Sequence, residues 1–151
     1  MINERRIESV LDDKTIYDLL IQFDCVFPHL HEKISSYEEY AYKLSRYAKV
    51  YVYKDLDKNI GILVLYANDM NNKIAYISLI GVDKSFEGKG IGKRLLNHAI
   101  QISKECGMNE LKLEVDLDNE RAIRFYKLNG FVSCDDDNGG SVHMIKVLIE
   151  D

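Results

Sequence analysis

Two spacings of apolar residues divide this chain. Ile16, Leu19, Leu20 and Phe23 recur at the period of a helix, which predicts one over about 14–24. Pro28, the sole proline, ends it. Ser35 or Ser36, followed three residues on by Glu38 or Glu39, has the form of a capping box. A second helix then runs to about Tyr47, with Tyr37, Tyr40, Ala41, Leu44 and Tyr47 on one face. Leu95, Leu96, Ala99 and Ile100 give a third over 91–104, which Cys106 and Gly107 close. Asn119 opens a fourth, with Ala122, Ile123, Tyr126 and Leu128 on one side and Gly130 as its stop.

Between the helices the spacing changes. Continuous or alternating apolar runs predict strands over 6–11, 49–53, 59–67, 73–82, 111–116, 131–134 and 141–149. The 59–67 and 73–82 runs are apolar on both faces, which places them centrally in a sheet. Leu111, Leu113 and Val115 alternate with Lys112, Glu114 and Asp116, the pattern of a half-exposed strand. Polar stretches over 55–58, 68–72 and 135–140 supply the turns. With neither repeat nor low-complexity tract, this predicts one domain of mixed α and β structure over 1–151.

Candidate chemistry gathers at 82–94, where the strand ending at Val82 meets a loop holding Gly88, Gly90 and Gly92, and a helix follows. Glycines let backbone approach a ligand closely, and the unpaired amides of a helix start favour an anion. A Walker loop is excluded, because Glu87 stands at its first glycine position and Arg94 at its Ser/Thr position. A dinucleotide fingerprint is excluded, because Lys93 stands at its third glycine position and the loop lies mid-chain.

Composition narrows the partners. Twenty Lys and Arg against 25 Asp and Glu give a net charge of −5, which argues against a dedicated nucleic-acid binder. Lys84, Lys89, Lys93 and Arg94 nonetheless cluster at the glycine loop, which suits a small polyanion. Cys25, Cys106 and Cys134 are odd in number and lack metal spacing, so neither disulfides nor a metal site are expected. No signal peptide or membrane span is legible, and the expected setting is the cytoplasm.

The glycine loop resembles the pyrophosphate loop of the GNAT superfamily of acyl-CoA N-acyltransferases. That family's Gln/Arg-x-x-Gly-x-Gly/Ala falls on Glu87, Gly90 and Gly92, with Glu87 a departure. A second motif, Asn119 through Ala122 and Tyr126 to Gly130-Phe131, is similar to the family's Asn-x-x-Ala-x-x-x-Tyr-x-x-x-Gly-Phe. Leu113-Glu114-Val115 resembles the strand before it, and the likeness covers about 74–132. It implies a mostly antiparallel mixed sheet of six or seven strands, flanked by about four helices and splayed where CoA enters. It also implies acetyl-CoA as donor, no metal, and transfer by direct attack in a ternary complex.

Carried onto this sequence, the resemblance places the pantetheine arm against the backbone near Ile80 and Val82. The diphosphate falls on the amides of Gly88, Lys89, Gly90, Ile91, Gly92 and Lys93. Tyr126 becomes the acid that protonates the departing thiolate, and Asn119 either bonds the CoA arm or caps its helix. Glu114 matches the base of the ribosomal-protein-alanine acetyltransferase group; Tyr76 or a water chain are the alternatives. Lys84, Lys89 and Lys93 are expected to offset Glu87. The helices of the first half line an acceptor site in such folds, which brings in Tyr37, Tyr40 and residues 27–31. The acceptor is then a small-molecule amine or, alternatively, a protein N-terminus, with no nucleic acid and no membrane involved. Homodimers are frequent among similar folds. A catalytically silent acyl-CoA-binding module is the reading of another class.

Overall fold

The computed structural model describes residues 5–134 and 139–149. Its elements run β1 (Arg5–Val10), α1 (Asp13–Gln22), α2 (Tyr37–Tyr47), β2 (Lys49–Asp55), β3 (Lys58–Tyr66), β4 (Ile74–Val82), α3 (Ile91–Glu105), β5 (Glu110–Asp116), α4 (Glu120–Leu128), β6 (Val132–Ser133) and β7 (Ser141–Val147). Between α1 and α2 the chain makes two single 3-10 turns, Asp24–Val26 and Leu30–Glu32, around Pro28.

The helices start where the sequence supplies a cap. Asp12 accepts from the Thr15 amide at 2.9 Å, and Ser36 from the Glu39 amide at 3.0 Å. The capping box at α2 is split between two serines, since the Glu39 carboxylate accepts instead from Ser35 Oγ, at 2.6 Å. Asn119 Oδ1 accepts from the Ala122 amide at 3.2 Å and starts α4. Only α3 begins on a residue with no side chain to offer, Gly90.

The strands form one sheet in the order β1-β2-β3-β4-β5-β7-β6, antiparallel throughout except between β4 and β5. β3 and β4 are interior strands, as their two-sided apolar sequences require. The β4–β5 ladder is short: Ile74, Ala75 and Tyr76 pair with Glu110, Leu111 and Lys112, and pairing then stops. Against β3, Leu65 pairs with Ile77 and Val64 with Leu79, so Ser78 is an extra residue in β4. A bulge bends its strand and raises the local twist. It falls just past the last β4–β5 pair, where β4 stays with β3 while β5 stays with β7.

Each face of the sheet has its own core. α3 and α4 cover Tyr53, Leu63, Leu65, Ala75, Ile77, Leu111, Leu113 and Met144 on one side. α1 and α2 cover Val50, Val52, Ile62, Val64 and Leu79 on the other. Two expectations fail at helix ends. Leu128 is 86% exposed, because α4 has turned its last residue away from the sheet, and Tyr47 is likewise exposed at the end of α2.

Candidate functional site

The diverging strands enclose a cleft of about 800 Å³. On its β4 wall lie Tyr76, Ser78 and Ile80, and on its β5 wall Leu113, Glu114, Val115 and Asp116. Asn119, Ala122 and Tyr126 close one end, Phe27, His29 and Lys33 reach in from the segment between α1 and α2, and Tyr40 reaches in from α2. Leu113 and Val115 turn toward α3 and α4, so the alternation of β5 leaves Glu114 on the opposite face, beyond the part that α1 and α2 cover. Gly81 admits the neighbouring segment: a Cβ there would stand 2.6 Å from Val26 Cγ1 and 2.8 Å from Phe27 Cζ.

Past Val82 lies the glycine loop. Asp83 accepts from the Ser85 amide at 2.9 Å and turns the chain through Lys84–Phe86. Gly88 and Gly90 hold φ of +78° and +81°, in the left-handed region where a side chain is strained, and a Cβ on either would meet nothing within 4 Å. Among the described residues, none accepts a hydrogen bond from the amides of residues 88–93; the first helical bond of α3 is Arg94 N to Gly90 O, 3.2 Å. Six successive main-chain donors are thus unanswered at the positive end of a fifteen-residue helix.

The basic side chains expected here divide. Arg94 turns back and donates to the Tyr53 hydroxyl at 3.0 Å, away from the loop. The Lys89 ammonium sits over the Phe86 ring, 5.2 Å from its centre, with Lys58 at 5.0 Å. None of the three expected lysines makes an ion pair with Glu87. Its partner is Arg121 on α4, Nη1 to Oε2 3.2 Å.

Tyr126 is buried between Phe125 and Phe131, whose rings meet it edge-on at 5.3 and 5.6 Å. Its hydroxyl has no hydrogen-bond partner among the described residues. Burial pushes its pKa up to about 12, so the phenol keeps its proton at neutral pH. Tyr40 hydrogen-bonds Ser78, hydroxyl to hydroxyl at 3.0 Å, and burial raises its pKa. Tyr76 is raised too, first by burial and then by the nearby charge of Glu114.

Glu114 is held from two sides. Ser141 Oγ donates to its Oε2 at 2.8 Å, His143 Nε2 stands 3.9 Å from the same oxygen, and Lys33 Nζ lies 3.8 Å from Oε1. The fold therefore brings Glu114, Asn119, Tyr126, Tyr76, Ile80 and Tyr40 into one cleft. Val82 lies outside its lining, close to Gly92 at the root of α3. Glu87 and the glycine loop lie beyond that, past the end of β4. Tyr37 takes no part in the lining, because its hydroxyl is bonded to Asp24. Lys33, Ser141, His143 and Arg121 carry no motif that marks them in advance.

The acetyltransferase (GNAT) family model matches residues 15–131. An uncharacterized N-acetyltransferase of Methanocaldococcus jannaschii is 33% identical, over 63% of this chain and 50% of that protein. The ribosomal-protein-S18-alanine N-acetyltransferase of Escherichia coli superposes with a TM-score of 0.80, covering 97% of this chain and 96% of that one, at 18% identity. A GNAT family acetyltransferase of Elizabethkingia anophelis, solved with acetyl-CoA bound, gives 0.74 over 97% and 100% at 20% identity. The split sheet, its four flanking helices and the matched model define an acetyltransferase fold of the GNAT type. This chain belongs to the acetyltransferase (GNAT) family. It spans half or less of the length of the curated relatives it matches.

Proposed function

We propose that this chain transfers an acetyl group from acetyl-CoA to a primary amine. The observation that carries the reading is the pairing of six unanswered amides at 88–93 with strands that separate after three residue pairs. The amides suit the donor's diphosphate, and the free edge of β4 at Ile80 and Val82 suits the amides of its pantetheine arm. Held there, the thioester reaches the cleft beside Tyr126, and attack becomes nearly unimolecular.

The amine nitrogen adds to the thioester carbonyl, the carbon–sulfur bond breaks, and Tyr126 gives its proton to the leaving thiolate. The attacking ammonium must first lose a proton. Tyr76, with its proton held more tightly than in water, is a poor acceptor for it. Glu114 is the better base, its carboxylate fixed by Ser141 and set in the same cleft, directly or through one water. Asn119 uses Oδ1 as a helix cap, and its Nδ2 is left to donate to the donor's arm.

Acetylation of a protein N-terminus is the second reading. It is favoured by an acceptor wall of both signs, with Lys33 and Lys43 facing Glu114, Asp116 and Asp118 in a cleft wider than one small amine fills. Thiol release from acetyl-CoA, measured across amines, amino sugars, polyamines and N-terminal peptides, tests both. Release with no acceptor in the panel would leave the transferase reading without support.

A further inference from the structure

The glycine loop follows β4 and α4 follows β5, so they belong to opposite arms of the split sheet. Among the described residues one polar contact joins them, the bond from Arg121 Nη1 to Glu87 Oε2 at 3.2 Å, between residues 34 apart in sequence. Glu87 immediately precedes the six unanswered amides. Its side chain is 45% exposed and that of Arg121 is 70% exposed, so water screens the pair and it is easily exchanged. A carboxylate fixed at the edge of a diphosphate site would oppose the ligand unless a cation shields it. Lys89 and Arg94 are drawn off to Phe86 and Tyr53, Lys84 and Lys93 make no ion pair with Glu87, and the Arg121 guanidinium is the cation already in contact with that carboxylate.

A guanidinium matches phosphate oxygens with a rigid fork and binds them with charge-assisted hydrogen bonds. We propose that Arg121 is a diphosphate ligand that Glu87 holds beside the site. On binding, the guanidinium turns from the carboxylate to a phosphoryl oxygen, and α4 is thereby tied across the mouth of the cleft to the nucleotide. Glu87 acts as a stand-in anion that keeps Arg121 placed and is outcompeted by the more highly charged ligand. The proposal rests on the reading of 88–93 as the donor's diphosphate site.

The test is calorimetric titration of wild-type, Arg121→Gln and Glu87→Gln chains with CoA, dephospho-CoA and pantetheine. Arg121→Gln is expected to weaken CoA and dephospho-CoA alike, by roughly tenfold, the scale of one charged hydrogen bond. Pantetheine, which has no diphosphate, is expected to bind both variants as it binds wild type. Glu87→Gln is expected to tighten CoA by about two- to fivefold, the scale of one screened charge pair. Unchanged CoA affinity in Arg121→Gln would overturn the proposal and reduce the pair to a surface contact. Equal weakening of pantetheine would make the residue structural. An effect confined to CoA would move the contact to the 3′-phosphate and sink the diphosphate assignment. Weaker CoA binding by Glu87→Gln would rule out competition. Failure of wild type to bind CoA at all would instead strike the donor reading itself.

Discussion

The cleft and the glycine loop beyond it are built from different material. The proposed donor site, residues 83–93, is main chain: a turn, two left-handed glycines and the bare start of α3. The proposed acceptor site is side chains brought from far apart, with Tyr40 from α2, Tyr76 and Ser78 from β4, Glu114 from β5, and Ser141 and His143 from β7. A diphosphate is the same in every donor molecule, and fixed amides can serve it without any particular side chain. An acceptor amine differs from one enzyme to the next, so its site is written in groups that substitution can change singly. Tyr126 stands at the join, lining the cleft from the helix whose Asn119 cap also faces it.

That contrast makes the side-chain end fragile to single changes and the main-chain end tolerant of all but backbone ones. The largest effect is expected at the join. Tyr126→Phe should cut acetyl transfer by roughly a hundredfold or more, the usual scale for a lost general acid, while CoA affinity in titration stays within about twofold. Turnover that survives the change would remove Tyr126 as the acid. A silent binding module would show no acceptor-dependent thiol release in wild type to begin with.

Next comes the choice of base. Glu114→Gln should lower kcat/KM by roughly ten- to a hundredfold and leave the donor's Kd alone, with Tyr76→Phe the milder change. The reverse order in a side-by-side rate comparison would hand the role to Tyr76. At the other end, Gly90→Ala must place a Cβ at φ +81°, with open space around it. The cost is purely conformational, about 1–2 kcal/mol in urea unfolding. Gly90→Asn should recover part of it, since Asn tolerates the left-handed region; no difference between the two would show that backbone strain is not what matters.

The smallest effect lies behind the loop. His98 on α3 packs edge-on against Tyr51 at 4.5 Å, and burial holds its pKa below the ordinary 6.5. The folded chain favours neutral imidazole, so this stabilisation is present above pH 6.5 and is lost as pH falls below the unfolded value. The melting temperature should therefore drop on acidification toward pH 5.5. His98→Gln should flatten that slope, and an identical slope in the variant would assign the pH dependence to other groups.

Strand and helix placement were largely legible, because the apolar runs of β3 and β4 and the period of α3 are long and their caps and stops are local. The glycine loop was legible as a backbone feature, with three glycines within five residues, and the donor role proposed for it rests on the second motif at 119–131 as well. What surrounds Glu87 and Glu114 was not. Arg121 lies 34 residues from Glu87 and Ser141 lies 27 from Glu114, and only the fold makes them neighbours. The loop lysines were the nearer candidates for Glu87 in sequence, yet Lys89 finds an aromatic ring and the carboxylate finds a helix from the other arm. Leu128 misled because helical period cannot say where a helix leaves its sheet.

The extra residue at Ser78 also resets the odd–even parity of β4. Before it, Ala75 and Ile77 pack toward α3; beyond it, Ile80 and Val82 take that side, while Leu79 and Gly81 face the other. Removing Ser78 would leave Ile77 followed by Leu79 in plain alternation, so Gly81 would keep the place beneath Phe27 where only glycine fits and the bulge itself would be lost. That one-residue deletion would straighten β4 at the point where it parts from β5, and the mouth of the cleft would narrow before any reacting group had been touched.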